Sequence, residues 1–250
     1  MKVDLFGLRV DVITTEQTVE RVMQACAGEG DPLVVFSCNV DMVVKAHRDP
    51  DFGATLSSAD ILTADGMPIV WMGRLRGHPF PERVAGSELV PRIAAACARA
   101  GRSVFLFGAA PGVADAAARR LQADNPGLRV AGTLSPPMGF DRDPLLLEEA
   151  VEAVRRASPD VLFVALGAPR QERFIQAQKA RLGAKAILGI GGSLDMLAGR
   201  VRRAPRFVQR IGAEWLWRLA QEPRRLARRY LVEDLAFFPI AWAELRKGRR

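Results

Sequence analysis

The sequence is short of the groups on which acid–base and metal enzymes most often rely. Only two histidines, His47 and His78, and one tyrosine, Tyr230, occur in 250 residues. A Ser-His-Asp triad or a histidine-rich metal site needs imidazoles gathered in one place, and this pair lies in separate polar segments. An acid–base enzyme built on this chain takes its base from a carboxylate. Cysteine is sparse and odd in number, with Cys26, Cys38 and Cys97 forming no CxxC pair. That set excludes a disulfide framework and a structural zinc, and it fits a reduced cytosolic protein. No GxxxxGK[ST] is present and no GxGxxG follows a strand, so a P-loop and a standard dinucleotide fingerprint are both excluded. Long apolar runs are missing too. No stretch approaches the roughly 20 residues that span a bilayer, and Leu235 to Ala243 is short and interrupted by Pro239. Met1 to Asp11 carries Lys2, Asp4, Arg9 and Asp11, so no signal-peptide core is expected there.

What is present divides into two regions. At 49% hydrophobic residues the chain can bury a sizeable core. Its net charge of +8 is unevenly spread. Residues 1–200 hold 23 basic and 23 acidic side chains, whereas residues 201–250 hold 13 and 5. The basic stretch also contains Trp215, Trp217, Trp242, Tyr230, Phe207, Phe237 and Phe238. These contrasts predict an α/β core over 1–200 and a basic, aromatic, helical appendage over 201–250.

Within the core, short apolar runs alternate with helical patterns. Val34–Ser37, Ile61–Ala64, Val104–Phe107, Leu128–Ala131, Val161–Ala165 and Ala186–Ile190 read as strands. Helices are expected over Asp41–Ala46, Pro68–Arg76, Val113–Asp124, Pro144–Ala157 and Arg170–Leu182. This alternation predicts a Rossmann-like, mostly parallel sheet flanked by helices. Ligands of such sheets bind beyond the carboxyl ends of the strands. Cys38-Asn39, Asp65-Gly66, Gly108, Gly167 and Gly191-Gly192 all fall at predicted strand ends. In the appendage, Pro205 is expected to open a helix running to Gln221, and Pro223 the next. Asp49-Pro-Asp51 and Asp141-Arg-Asp143 have the spacing of a metal-binding pair. Their polar, proline-flanked settings suit turn or helix-cap residues better, so neither metal nor cofactor is expected.

An ordered set of segments resembles the bacterial WecG/TagA/CpsF glycosyltransferases (glycosyltransferase family 26). They are Ser37-Cys-Asn-Val-Asp41, Ser58-Ala-Asp-Ile-Leu-Thr-Ala-Asp-Gly66, Glu82-Arg-Val-Ala-Gly-Ser87 and Phe107-Gly-Ala-Ala-Pro-Gly112. Gly167-Ala-Pro-Arg-Gln-Glu172, Gly189-Ile-Gly-Gly-Ser-Leu-Asp195, Ala198 to Pro205, Glu214-Trp-Leu-Trp-Arg218 and Glu222-Pro-Arg-Arg225 follow at compatible spacing. Cys38 is a departure, since the family often has Thr or Pro there. The resemblance implies inverting, metal-independent transfer from a UDP-sugar, of N-acetylmannosamine type or glucose, to a sugar on undecaprenyl diphosphate. By the same resemblance Asp65 looks like the general base, with Gln171, Asn39 and Arg83 as active-site partners.

The residue chemistry fits that expectation. Inversion needs one in-line attack by an acceptor hydroxyl, for which one positioned carboxylate suffices. Asp65 ends a strand before a helix, so helix capping is its competing role. A departing nucleotide diphosphate needs fixed donors. Gly66, Gly108, Gly112, Gly167, Gly191, Gly192 and Ser193 can offer backbone N–H groups. Arg203, Arg206, Arg210, Arg218 and Arg225 offer guanidinium forks that match phosphate oxygens. Asp195 reads as a helix cap or hydrogen-bond acceptor near the same loop. The Arg/Trp appendage suits an anionic membrane surface, which places the enzyme peripherally on the inner face of the cell membrane. Association into a homo-oligomer is left open, and no nucleic acid is expected as partner. Two alternatives stand beside this reading: a nucleotide-binding oxidoreductase, weakened by the missing fingerprint, and a nucleic-acid-binding protein, weakened by confinement of the excess charge to one end.

Overall fold

A computed structural model describes residues 1–205, 208 and 212–247, without the side chain of Arg225. Strands β1 (Lys2–Leu5) and β2 (Leu8–Asp11) precede helix α1 (Thr15–Ala27). Then come β3 (Leu33–Cys38), α2 (Val40–Arg48), α3 (Pro50–Ser57), β4 (Ile61–Ala64), α4 (Met67–Leu75) and α5 (Gly86–Ala100). The chain continues through β5 (Ser103–Gly108), α6 (Val113–Asp124), β6 (Arg129–Leu134), α7 (Pro144–Ala157), β7 (Val161–Ala165), α8 (Arg170–Gln178), β8 (Ala186–Gly189) and α9 (Ser193–Leu197). Helices α10 (Glu214–Gln221), α11 (Pro223–Arg228) and α12 (Phe237–Arg246) close it.

Six strands form one sheet in the order β4-β3-β8-β7-β5-β6. The pairs β3/β8, β8/β7, β7/β5 and β5/β6 are parallel. Every residue of β4, β5, β7 and β8 is buried. Strands covered on both faces need no polar alternation, which is why they read as unbroken apolar runs. Strand β3 is buried except at Leu33 and Ser37, whereas the edge strand β6 is at least partly exposed along its whole length. Its apolar signal is correspondingly weak, and it starts one residue later and ends three later than the run Leu128–Ala131 suggests.

The chain forms two compact units. One comprises Met1–Thr15, Ser37–Ala85 and Val201–Arg250, and the other Glu16–Phe36 and Gly86–Arg200. In the first, β1 and β2 make an antiparallel hairpin, with Leu5 opposite Leu8 across a Phe6-Gly7 turn. Both turn residues have positive φ, the requirement of a tight two-residue hairpin. Asp11 of β2 accepts the Leu62 N–H at 2.8 Å, fixing the hairpin to β4. Asp49 accepts the Phe52 N–H at 3.1 Å and caps α3, one of the roles expected for its triplet.

The C-terminal segments of this unit are held by ionic contacts. Glu244 of α12, 2% exposed, faces Arg76 at 3.4 Å. Arg229 lies 3.3 Å from Asp41 of α2 and 3.8 Å from Asp234. Phe237 packs on Phe6 with ring centroids 5.4 Å apart, and Leu226 is buried. The expected helix from Pro205 to Gln221 is not continuous. Val208 is helical, Gly212 sits at φ +71° in a turn, and a separate helix runs from Glu214. The left-handed backbone of one glycine is enough to break a helical path. Residues 206, 207 and 209–211 of that expected helix lie outside the described set.

The second unit centres on aromatic packing under the sheet. Phe107 stacks on Phe174 at 5.1 Å, and Phe140 meets both edge-on. Each such burial contributes roughly 1.5–3 kcal/mol. Asp143 accepts the Leu145 and Leu146 N–H groups and caps α7, again as its triplet suggested. Helix α8 ends at Gln178, short of Leu182, and the chain then turns through Gly183 at φ +68°.

Candidate active site

In the first unit, backbone hydrogen bonds bring three expected site residues to neighbouring strand ends. The Asp65 N–H donates to the Cys38 carbonyl at 2.8 Å, setting Asp65 beside the start of α2. The Val84 N–H donates to the Ala64 carbonyl at 2.9 Å, which brings Arg83 to the same edge. Thr63 Oγ1 lies 3.4 Å from Ser37 Oγ and donates to the Val84 carbonyl at 3.0 Å, tying the three segments together. Asp65, Asn39 and Arg83 therefore converge because β3, β4 and the segment before α5 are bonded at their ends.

Each side chain has its own setting. Asp65 is partly exposed, and the N-cap position of α4 belongs to Gly66, so the capping role does not fall to Asp65. Asn39 caps α2, its Oδ1 accepting the Met42 N–H at 3.2 Å. That bond fixes the amide and directs its chemistry through the NH₂ group, which donates only. Burial pushes the Cys38 thiol up to about 12, and the neighbouring Asp65 carboxylate adds to the rise. The thiol stays neutral, so the cysteine acts here as a small apolar filler and not as a nucleophile. Arg83 Nη1 donates to Glu214 Oε2 at 2.5 Å, both groups being largely buried. The sequence shows Glu214 as part of a motif but gives no sign that it partners Arg83. The two positions are 131 residues apart, and no local spacing signals such a pair.

Among the arginines expected on phosphate, Arg203 is exposed and Arg218 half-buried. The segment before Arg203 is clamped to α10. Gln221 Oε1 accepts the Arg202 N–H at 2.8 Å, and Trp217 Nε1 donates to the Arg202 carbonyl at 2.9 Å. Arg206 and Arg210 lie outside the described residues, as does the side chain of Arg225.

In the second unit the glycine loops stand at the carboxyl ends of β5, β7 and β8. The Ala109 N–H donates to the Ala165 carbonyl at 2.8 Å, and Ser135 Oγ donates to the Gly108 carbonyl at 3.0 Å. Gly112 precedes α6 and Gly167 precedes α8. Gln171 is only 3% exposed, so the solvated first-turn position natural to a polar helix-start residue is not what the fold gives it. Its Oε1 accepts the Gly191 N–H at 2.9 Å, and its Nε2 donates to Glu172 Oε1 at 2.7 Å. Ser193 is buried, its Oγ donating to the Ile190 carbonyl at 2.6 Å. Gly192 occupies the N-cap position of α9 and Asp195 lies within the helix, so the expected cap role of Asp195 is not realised. A cavity of about 470 Å³ opens between α7 and α8, lined by Arg142, Arg170, Arg173 and Phe174 among others. Arg170 there is paired with Asp141 at 3.0 Å and lies over the Phe140 ring.

The first unit thus gathers a partly exposed carboxylate, a helix-capping amide and an arginine at neighbouring strand ends, and comparison with known proteins gives the class. The model of the Glycosyl transferase WecG/TagA/CpsF family matches residues 3–250, and the chain belongs to this family. It is a glycosyltransferase. Similar proteins include one from Bacillus spizizenii named N-acetylglucosaminyldiphosphoundecaprenol N-acetyl-beta-D-mannosaminyltransferase, 34% identical over 78% of this chain and 73% of the relative. A Bacillus subtilis protein of the same name is 31% identical over 81% and 77% of the two chains. A third, from Staphylococcus aureus, is 28% identical over all of this chain and 94% of its own.

Proposed function

We propose that this glycosyltransferase moves a sugar from a UDP-sugar to a sugar carried on a polyprenyl diphosphate, with inversion and without a metal ion. The names of the relatives favour N-acetylmannosamine as the sugar and an undecaprenyl-diphosphate-linked N-acetylglucosamine as the acceptor. The observation that carries the reading is Asp65, partly exposed at the end of β4 beside Asn39 and Arg83. In the proposed step the acceptor hydroxyl gives its proton to Asp65 as its oxygen attacks the anomeric carbon. The bond to the diphosphate breaks in the same step, and UDP leaves with the electron pair. One base serves this single displacement, and arginine and backbone N–H groups balance the charge on the departing diphosphate. Metal independence is favoured by the two Asp-x-Asp triplets, whose Asp49 and Asp143 are engaged as helix caps and whose Asp141 is paired with Arg170.

The lipid-linked acceptor motivates a membrane-facing role for the C-terminal segments. No helix among the described residues is long and apolar enough to cross a membrane. Exposed Phe238 (69%) and Trp242 (60%) of α12, with Leu231, Val232 and Leu235 before it, offer an apolar surface bordered by Arg228 and Arg246. Such a surface suits an anionic lipid interface, each basic residue adding about 1 kcal/mol.

A panel of UDP-sugars with a synthetic polyprenyl-diphosphate N-acetylglucosamine, run with and without EDTA, tests the proposal. Transfer that persists in EDTA and gives the product of inverted anomeric configuration is expected; loss of transfer in EDTA would overturn metal independence. Substituting Phe238 and Trp242 by Ser should reduce binding to anionic vesicles while leaving transfer to a short-chain soluble acceptor.

A further inference from the structure

Gln171 spends its amide inside the protein, and its direction is dictated by Glu172. A carboxyl oxygen of Glu172 sits 2.7 Å from Gln171 Nε2, and the Gly191 N–H sits 2.9 Å from Oε1. Flipping the amide would set two acceptor oxygens against each other at one end and two donors at the other. Only one orientation satisfies both ends. The pair is almost fully enclosed, Gln171 at 3% and Glu172 at 1% exposure, so water is not at hand to compensate an error. The last residue of β8 is shaped to the same amide. A Cβ added at Gly189 would come within 2.6 Å of Gln171 Nε2, so this side chain lies directly over the strand backbone.

We infer that Glu172 is a positioning residue, which locks the Gln171 amide so that its oxygen holds the Gly191 N–H and fixes the Gly191–Ser193 turn at the carboxyl end of β8. The inference deepens the transferase reading and rests on it for its effect on the reaction, because nucleotides bind beyond strand carboxyl ends in such sheets. Gln171 then acts through the turn and not on the sugar. A loosened turn is expected to weaken donor binding more than it slows the chemical step.

The test compares Glu172→Leu with Glu172→Gln, which keeps an oxygen able to accept from Gln171. Glu172→Leu should raise the KM for the UDP-sugar about tenfold and lower kcat less than threefold, and Glu172→Gln should recover most of the loss. A wild-type KM in Glu172→Leu, or equal impairment in the two variants, would overturn the inference. Hydrogen exchange at the Gly191 amide gives a readout without substrate. Exchange should be at least tenfold faster in Glu172→Leu and in Gln171→Met, no faster again in the double variant, and near wild type in Glu172→Gln. Unchanged protection in both single variants would overturn the inference, as would additive effects in the double variant. If Glu172→Leu does not fold, the contrast between Gln171→Met and Glu172→Gln still decides through Gly191. Absence of sugar transfer by the wild-type protein would sink the transferase reading, while the exchange pattern would continue to judge the positioning role by itself.

Discussion

The polar clusters at the strand ends of the two units are built from similar side chains but placed under opposite conditions. In the first unit Asp65 remains partly open to solvent, and Asn39 spends one end of its amide on a helix cap. In the second, Gln171 is sealed and both ends of its amide are engaged by protein. A group that must exchange a proton with a substrate needs access, whereas a group that shapes a backbone gains from enclosure. On the proposed reading, the same residue classes divide into chemistry and scaffolding according to burial. Neither type nor position along the chain makes that division.

The largest expected effect breaks the comparison at its open end. Asp65→Asn removes the proposed base while keeping shape, and it should lower kcat by roughly 10²–10⁴-fold. UDP affinity, measured by calorimetry, should be unchanged. An undiminished rate would move the base elsewhere. Glu214→Gln tests whether the first unit also contains a scaffolding pair. It withdraws the charge that faces Arg83, and loss of a largely buried charged hydrogen bond costs about 1.5–3 kcal/mol. A lower unfolding midpoint together with a weaker dependence of rate on Arg83 would show that the arginine is set from α10.

A smaller effect concerns pH. Burial raises the Asp234 carboxyl to about 6, with Arg229 opposing the rise and Asp41 adding to it. The folded state therefore holds this proton more tightly than the unfolded chain does. Ionisation of Asp234 costs stability, increasingly as pH climbs from about 4 to about 6. Asp234→Asn should raise the melting temperature at pH 7 by about 2–4 °C, allowing for solvent screening and the size of the chain. At pH 4 the variant and wild type should melt together. The smallest expected effect serves as a control on the scaffold. Asp143→Ala removes the α7 cap and should cost about 1 kcal/mol by chemical denaturation while sparing kcat.

Strand positions were legible in the sequence wherever a strand is covered on both faces, because burial leaves a short apolar run bounded by turn residues. Ile61–Ala64 and Val161–Ala165 were read to the residue. The edge strand β6 and the hairpin Lys2–Asp11 were not, since partial exposure mixes polar residues into the run. The cap roles of Asp49 and Asp143 were legible because capping is local, decided within three residues. The Arg83–Glu214 pair and the Gln171–Gly191 bond were hidden for the opposite reason. Their partners are 131 and 20 residues apart, so only the completed fold brings them together. Glu172 stands in a motif without a role legible there, because nothing in a sequence shows that a carboxylate in a helix's first turn points inward.

The burial of Glu244 against Arg76 has a consequence for how the last helix seats. A slide of α12 by a single turn would part the buried Arg76 guanidinium from its carboxylate, at several kcal/mol, whereas Lys247, 2.8 Å from Glu244, would travel with the acid. The last helix is keyed in this way to the one register that pairs Glu244 with both cations.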